Sequence, residues 1–162
     1  MDMVQIREAK REDCLAIRNL IQELADYEKM PNEPKIDYKI LERDGFDMKN
    51  PLFFCYVATI DQQIIGYALA YYTYSTWHGK IMFLEDLYVT SNQRRKHVGT
   101  KLFKTIAKKA KDTGCYRLDF TVLQWNPAQE FYKSLGAIDV TEKTGWHVYR
   151  LMGSALETLA TN

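Results

Sequence analysis

The sequence predicts an α/β fold in which one mixed central sheet is flanked by helices. Three observations carry this: short apolar or alternating runs bounded by polar turns, amphipathic helical stretches set between them, and no repeat or linker dividing the 162 residues. A chain of this length with 46% hydrophobic residues can bury a sizeable core, so one domain over residues 1–162 is expected.

Residues 4–8 alternate as a short strand. Asp13 then precedes a helical pattern of Ile17, Leu20, Ile21 and Leu24, and a second short helix is expected over residues 37–43. FFCYVATI, residues 53–60, and IIGYALAYYTY from Ile64 read as strands joined by the turn DQQ. KIMFLEDLYV, residues 80–89, is a third strand, followed by TSNQRRKH and a helix opening at Val98. Val98, Leu102, Phe103, Ile106, Ala107 and Ala110 are assigned to its apolar face, and Gly114 marks its end. There follow a strand over residues 117–123, a helix over residues 128–135 closed by Gly136, and strands near residues 137–140 and 146–151. The order is β-α-α-β-β-β-α-β-α-β-β, and the tail after Met152 fits either helix or frayed chain.

Lys plus Arg (22) and Asp plus Glu (21) nearly cancel, which argues against nucleic acid or an anionic membrane as a partner held by bulk charge. Cys14, Cys55 and Cys115 stand singly, with no CxxC pair and no nearby His at ligand spacing, so no metal is expected. The N-terminus lacks the apolar core of an export signal, and no apolar run reaches the length of a membrane span. An odd number of thiols without such a signal points to a reducing, cytoplasmic setting.

Charge is concentrated locally. Between Leu87 and Lys111 there is no Asp or Glu, while Arg94, Arg95, Lys96, Lys101, Lys104, Lys108, Lys109 and Lys111 supply fixed cations. The loop in this segment leads from a strand into a helix N-terminus, whose unpaired N–H groups and positive dipole end form a natural seat for phosphate. A solvated lysine-rich helix is the plainer alternative. Glu85 and Asp86 interrupt an apolar strand, where a buried carboxylate costs free energy unless paired. Strict alternation would send the two to opposite faces, so they are not expected to share one pocket.

FLEDLYV, QRRKHVG and NPAQEFYKSLGA resemble the acetyl-CoA-binding core of GNAT N-acetyltransferases. YSTWHGK, GFD, VLQWN and TGWHVY extend the resemblance to nearly the whole chain, and towards the diamine acetyltransferase branch with its thialysine acetyltransferase members. The resemblance implies a GNAT-type sheet, acetyl-CoA as co-substrate, a small-molecule amine as acceptor and a homodimer. It places the cofactor on Leu87, Tyr88, Val89, Arg94, Arg95, Lys96, His97, Val98, Gly99, Thr100, Asn126, Tyr132 and Lys133. His97 stands where the family pattern has its first glycine, and Asn126 precedes Tyr132 by six residues where seven is usual.

By the same resemblance Glu85 accepts the ammonium proton through water, and Tyr132 protonates the departing thiolate. The alternatives are a structural ion pair for Glu85 and a packed core tyrosine for Tyr132. Main-chain N–H groups at Tyr88 and Val89, freed by a bulge at the end of the strand, are expected to meet the oxyanion. Tyr27, Glu28, Ser75, Trp77, Asp86 and Trp146 are assigned to the amine, with Asp86 ordering the substrate or else holding an ion pair. Ser75, where polyamine-preferring relatives commonly have aspartate, points to thialysine or a similar short amino acid rather than spermidine or spermine; the alternative is a serine that only shapes a turn. His78, His147 and Ser75 lack the partners of a triad, and no Cys has an activating context, so direct transfer in a ternary complex is expected. The rival functions are a non-catalytic acyl-CoA-binding protein and acetylation of a protein amine.

Overall fold

Asp61 and Gln62 both take positive φ, 48° and 68°, and so form the two-residue turn whose twist suits a hairpin. They join β2 (Phe54–Ile60) to β3 (Gln63–Ser75), and a second tight connection leads to β4 (Gly79–Val89). The computed structural model describes residues 4–161 and divides into two compact units, Met1–Leu123 and Gln124–Asn162.

In the first unit β1 (Gln5–Glu8) pairs with β2, and β5 (Leu118–Asp119) closes a five-stranded sheet of order β1-β2-β3-β4-β5. The first three pairings are antiparallel; β4 and β5 are parallel. Cys55 and Val57 of β2, Tyr67 and Leu69 of β3 and Tyr88 of β4 form one buried cluster with Cys14, Ile17 and Leu20 of α1 (Cys14–Tyr27) and Leu41 of α2 (Tyr38–Glu42). Asp37 caps α2 by accepting from the Ile40 N–H at 3.0 Å. Asp13 instead turns to the preceding residues, accepting from the Lys10 N–H and pairing with Arg7 at 2.6 Å.

α3 (Val98–Asp112) buries Val98, Leu102, Phe103, Ile106 and Ala110 as its periodicity predicts. Ala107 is exposed, because nine residues from Val98 bring it to the opposite side of the helix. Gly114 takes φ 73° just beyond the helix end.

β5 is shorter than the expected strand over residues 117–123: it pairs only with Met82 and Phe83, and a strand lasts only as long as its ladder. The second unit also departs from expectation. It holds α4 (Ala128–Ser134), α5 (Thr141–Thr144) and α6 (Ser154–Ala160), and among the described residues the strands expected near residues 137–140 and 146–151 are not formed. Asp139 accepts from the Thr141 N–H at 2.9 Å and so starts a helical turn, which Gly145 ends at φ 67°. The pattern of residues 146–151 is a local signal, whereas a strand needs a neighbour to bond.

Gly66 lies opposite Val89, where a Cβ would meet the Tyr88 carbonyl oxygen at 2.7 Å. Gly66→Ala is therefore expected to lower stability by about 1–3 kcal/mol as the strands are forced apart. Thermal denaturation checks it, and an unchanged midpoint would show that β4 yields freely here.

Candidate active site

β4 carries one residue more than β3 can pair. Leu69 lies opposite Asp86 and Ala70 opposite Leu84, so Glu85 is the surplus residue of a β-bulge. The bulge reverses the alternation. Phe83 lies opposite Tyr71 on one side of it and Tyr88 opposite Tyr67 on the other, and all four side chains belong to the face of β3 that presents Tyr67, Leu69 and Tyr71. Glu85 and Asp86 consequently share that face, against the expectation from strict alternation.

Two hydrogen bonds establish this directly. The Tyr67 hydroxyl donates to Asp86 Oδ2 at 2.8 Å, and the Tyr71 hydroxyl donates to Glu85 Oε2 at 3.0 Å. Tyr67 is wholly buried, Asp86 half-buried and Glu85 exposed. Burial pushes the Asp86 carboxyl up to about 6; the Tyr67 hydrogen bond opposes this, while the charges of Glu85 and Glu28 add to it. Glu28, just past α1, is itself raised by burial. Three carboxylates thus bear on one point of the sheet, a fitting surround for a cation.

The bulge is not at Tyr88 and Val89, where the oxyanion donors were expected: those residues pair regularly with Tyr67 and Gly66. The opening for a ligand main chain is instead on the other edge of β4. Because β5 pairs only as far as Phe83, the groups of residues 84–89 that point away from β3 have no ladder partner among the described residues. This suits an extended, amide-bearing arm laid along Leu87, Tyr88 and Val89.

The loop that follows is fastened from outside. The Arg94 guanidinium lies 4.7 Å from the Tyr27 ring centroid and 5.3 Å from that of Tyr88, and its Nε donates to the Val89 carbonyl at 3.0 Å. Tyr88 in turn donates its hydroxyl to Glu23. Reasoning from residue type gives Arg94 only a phosphate role and misses this, because Tyr27 is distant in sequence and Tyr88 stands on the preceding strand.

Arg95 and His97 take positive φ, 62° and 60°, so His97, which stands where the family pattern has its first glycine, is left-handed. Among the described residues the backbone N–H groups of Arg95, Lys96, His97, Val98, Gly99 and Thr100 meet no protein acceptor. Such a run of unpaired donors leading into a 15-residue helix fits a pyrophosphate.

Other assigned residues are not brought to the carboxylates. Ser75 accepts from the Trp77 and His78 N–H groups, both at 3.2 Å, and so shapes the turn at the far end of the hairpin. Five strand residues separate Ser75 from the bulge, about 17 Å. Trp77 is 80% exposed on that turn and forms no wall of the carboxylate site. His78 stacks on Tyr116 at 4.3 Å and accepts from Arg117 at 3.0 Å, a surface contact the sequence did not announce.

The remaining predicted site residues lie in the second unit. Tyr132 is half-buried on α4 with its ring 5.0 Å from Phe131, and Lys133 pairs with Glu130 at 3.0 Å. Asn126 Oδ1 accepts from the Ala128 N–H at 2.9 Å, which helps to start α4, and Trp146 is 73% exposed. Burial pushes the Cys14 thiol up to about 11 and the Cys55 thiol higher, so neither is poised as a nucleophile. Among the described residues no cluster of His, Cys, Asp and Glu could hold a metal, and no helix is long and apolar enough to cross a membrane.

The chain is similar to known proteins over most of its length. The family model described as Acetyltransferase (GNAT) family matches residues 16–137. Thialysine N-epsilon-acetyltransferase of Bos taurus is 44% identical, with 99% of both chains covered. Human spermidine/spermine N(1)-acetyltransferase-like protein 1 is 38% identical over 99% of this chain and 24% of its own length. Among solved structures, an integron cassette protein from V. cholerae superposes with a TM-score of 0.77 at 26% identity, covering 98% of each chain. An aminoglycoside N-acetyltransferase in complex with CoA superposes at 0.74 with 18% identity, over 95% of this chain and 97% of that one, a likeness of fold.

His97 holds a left-handed conformation that costs a side chain about 1 kcal/mol. His97→Gly is expected to raise the thermal midpoint slightly and to leave CoA binding equal or tighter. Calorimetric titration checks the second point: clear weakening would show that the imidazole itself holds the anion.

Proposed function

Because the chain belongs to the GNAT acetyltransferase family, as an acetyl-CoA-dependent amine N-acetyltransferase, we propose that its acceptor is the terminal amine of thialysine or a related short amino acid. The observation that carries the site assignment is the pair of carboxylates, Glu85 and Asp86, held on one face at the bulge. The substrate class rests on the thialysine acetyltransferases of Bos taurus, Sus scrofa and Mus musculus, 44%, 44% and 41% identical. It does not rest on Ser75, which is fastened in its turn about 17 Å away.

In this reading the incoming ammonium is drawn to Glu28, Glu85 and Asp86. Asp86 orders it, and exposed Glu85 takes its proton through water, leaving a neutral amine able to attack. Bound acetyl-CoA supplies the activated acyl group. Arg95 to Thr100 hold the pyrophosphate through their N–H groups, and the free edge of Leu87, Tyr88 and Val89 aligns the amide-bearing arm and offers the oxyanion donors. Tyr132 donates the proton that the departing thiolate needs, with Asn126 and Lys133 beside it in sequence as further cofactor contacts. Direct attack in a ternary complex needs no enzyme nucleophile.

The family match runs through the boundary between the two units, which supports a single acetyltransferase domain over residues 1–162. A homodimer and a cytoplasmic location complete the proposal; sedimentation of the purified protein tests the first.

Two outcomes are expected. Tyr132→Phe keeps acetyl-CoA binding while lowering kcat by roughly 10²–10⁴, the usual contribution of a general acid; unchanged turnover where chemistry limits the rate removes Tyr132 from the mechanism. In competition, thialysine is acetylated in preference to spermidine, as read by mass spectrometry of both products. Preference for spermidine would turn the assignment to polyamines and leave the acetyl transfer standing.

A further inference from the structure

Tyr67 and Tyr71 stand four residues apart on one face of β3, and each gives its hydroxyl hydrogen to a different carboxylate of the bulge. A phenol hydrogen bond to a carboxylate fixes its rotation and favours its charged form. Tyr67 is fully buried among Cys55, Val57, Leu69 and the apolar side of α1, so its hydroxyl is held rigidly. Tyr71 is held by stacking on Phe83, 5.4 Å between centroids at 29°. The bonds occupy Asp86 Oδ2 and Glu85 Oε2 and leave Asp86 Oδ1 and Glu85 Oε1 without a protein donor among the described residues.

We propose that Tyr67 and Tyr71 are positioning residues of the amine site, which lock Asp86 and Glu85 side by side so that their two remaining oxygens clamp one alkylammonium from a single face of the sheet. The inference rests on the amine-acetylation reading and adds to it two residues with no place in the motifs. The bulge brings the carboxylates to one face; the phenols decide which oxygen of each is left for substrate.

The arrangement has a pH signature. The groups that bear on Asp86 are Tyr67 and Tyr71 of β3, Glu85 of β4, Glu28 beyond α1 and Cys55 of β2. With its carboxyl at about 6, Asp86 is charged above that pH and loses its hold on a cation below it. Removing the Tyr67 hydroxyl removes a contribution that lowers the Asp86 value, so the loss of cation affinity moves to higher pH.

The test uses n-butylguanidinium, whose charge does not titrate near neutrality and which keeps N–H donors. Its dissociation constant is measured calorimetrically across the near-neutral range with the full chain. Wild type is expected to bind more weakly as pH falls through about 6. Tyr67→Phe, isosteric but for the hydroxyl, shifts that midpoint up by about one pH unit, the scale of one hydrogen bond to a charged group. Tyr71→Phe lowers kcat/KM for the amine about tenfold with KM for acetyl-CoA unchanged. Asp86→Asn flattens the pH profile and serves as the reading should Tyr67→Phe not fold. A Tyr67→Phe midpoint equal to wild type, or a pH profile that survives in Asp86→Asn, overturns the inference. Wild-type turnover on amines, assayed alongside, separates that failure from failure of the acetyltransferase reading, which would show as no acetylated product at all.

Discussion

Glu85 has no opposite number on β3, and this one surplus residue decides on which side of the sheet each side chain of β4 stands. With regular pairing, Asp86 and Tyr88 would point to the other face of the sheet, away from Tyr67 and Leu69. Asp86 would then lose its bond with the Tyr67 hydroxyl, and a buried carboxylate left without a partner costs about 1–3 kcal/mol. With the bulge both are satisfied, and no buried side-chain polar atom among the described residues lacks a hydrogen bond. The same shift turns Tyr88 to Glu23 and gives Arg94 its second aromatic face.

Core and site are therefore built from the same residues. Tyr67 belongs by its ring to the apolar cluster beneath α1 and by its hydroxyl to the carboxylate pair. α1 contributes Ile17 and Leu20 to that cluster, and Tyr27 and Glu28 at its end reach the loop and the carboxylates respectively. Rigidity in such a site comes from hydrophobic packing, with polar atoms only at the ends of buried rings.

Much of this was readable from residue order. The hairpin turn, the three long strands, α1, the apolar side of α3 and the glycine that ends it follow from alternation, 3.6-residue spacing and turn chemistry, because these are local signals. The motif FLEDLYV identified the carboxylates, but alternation placed them on opposite faces, since an inserted residue leaves no trace in the pattern of one strand. Its register exists only relative to Leu69 and Ala70 of the partner. The strands expected near residues 137–140 and 146–151 failed for a related reason: their apolar alternation was real, but Asp139 started a turn and no ladder formed among the described residues. The Ser75 hydroxyl is engaged by backbone two and three residues on, an engagement that a comparison of residue types does not reveal.

Arg94 bears on how far the phosphate loop can drift over generations. A loop that owed its shape to glycine alone would lose it when glycine is replaced. Here the first residue of the turn is pinned between Tyr27 and Tyr88 and bonded to Val89, so the path of the chain is imposed at its root. His97 can then occupy a left-handed position at modest cost, and Arg95 another, while their N–H groups meet no protein acceptor among the described residues. The stacked guanidinium thus widens the set of sequences compatible with one loop shape, and a lineage carrying it can exchange glycine for side chains that bring their own charge.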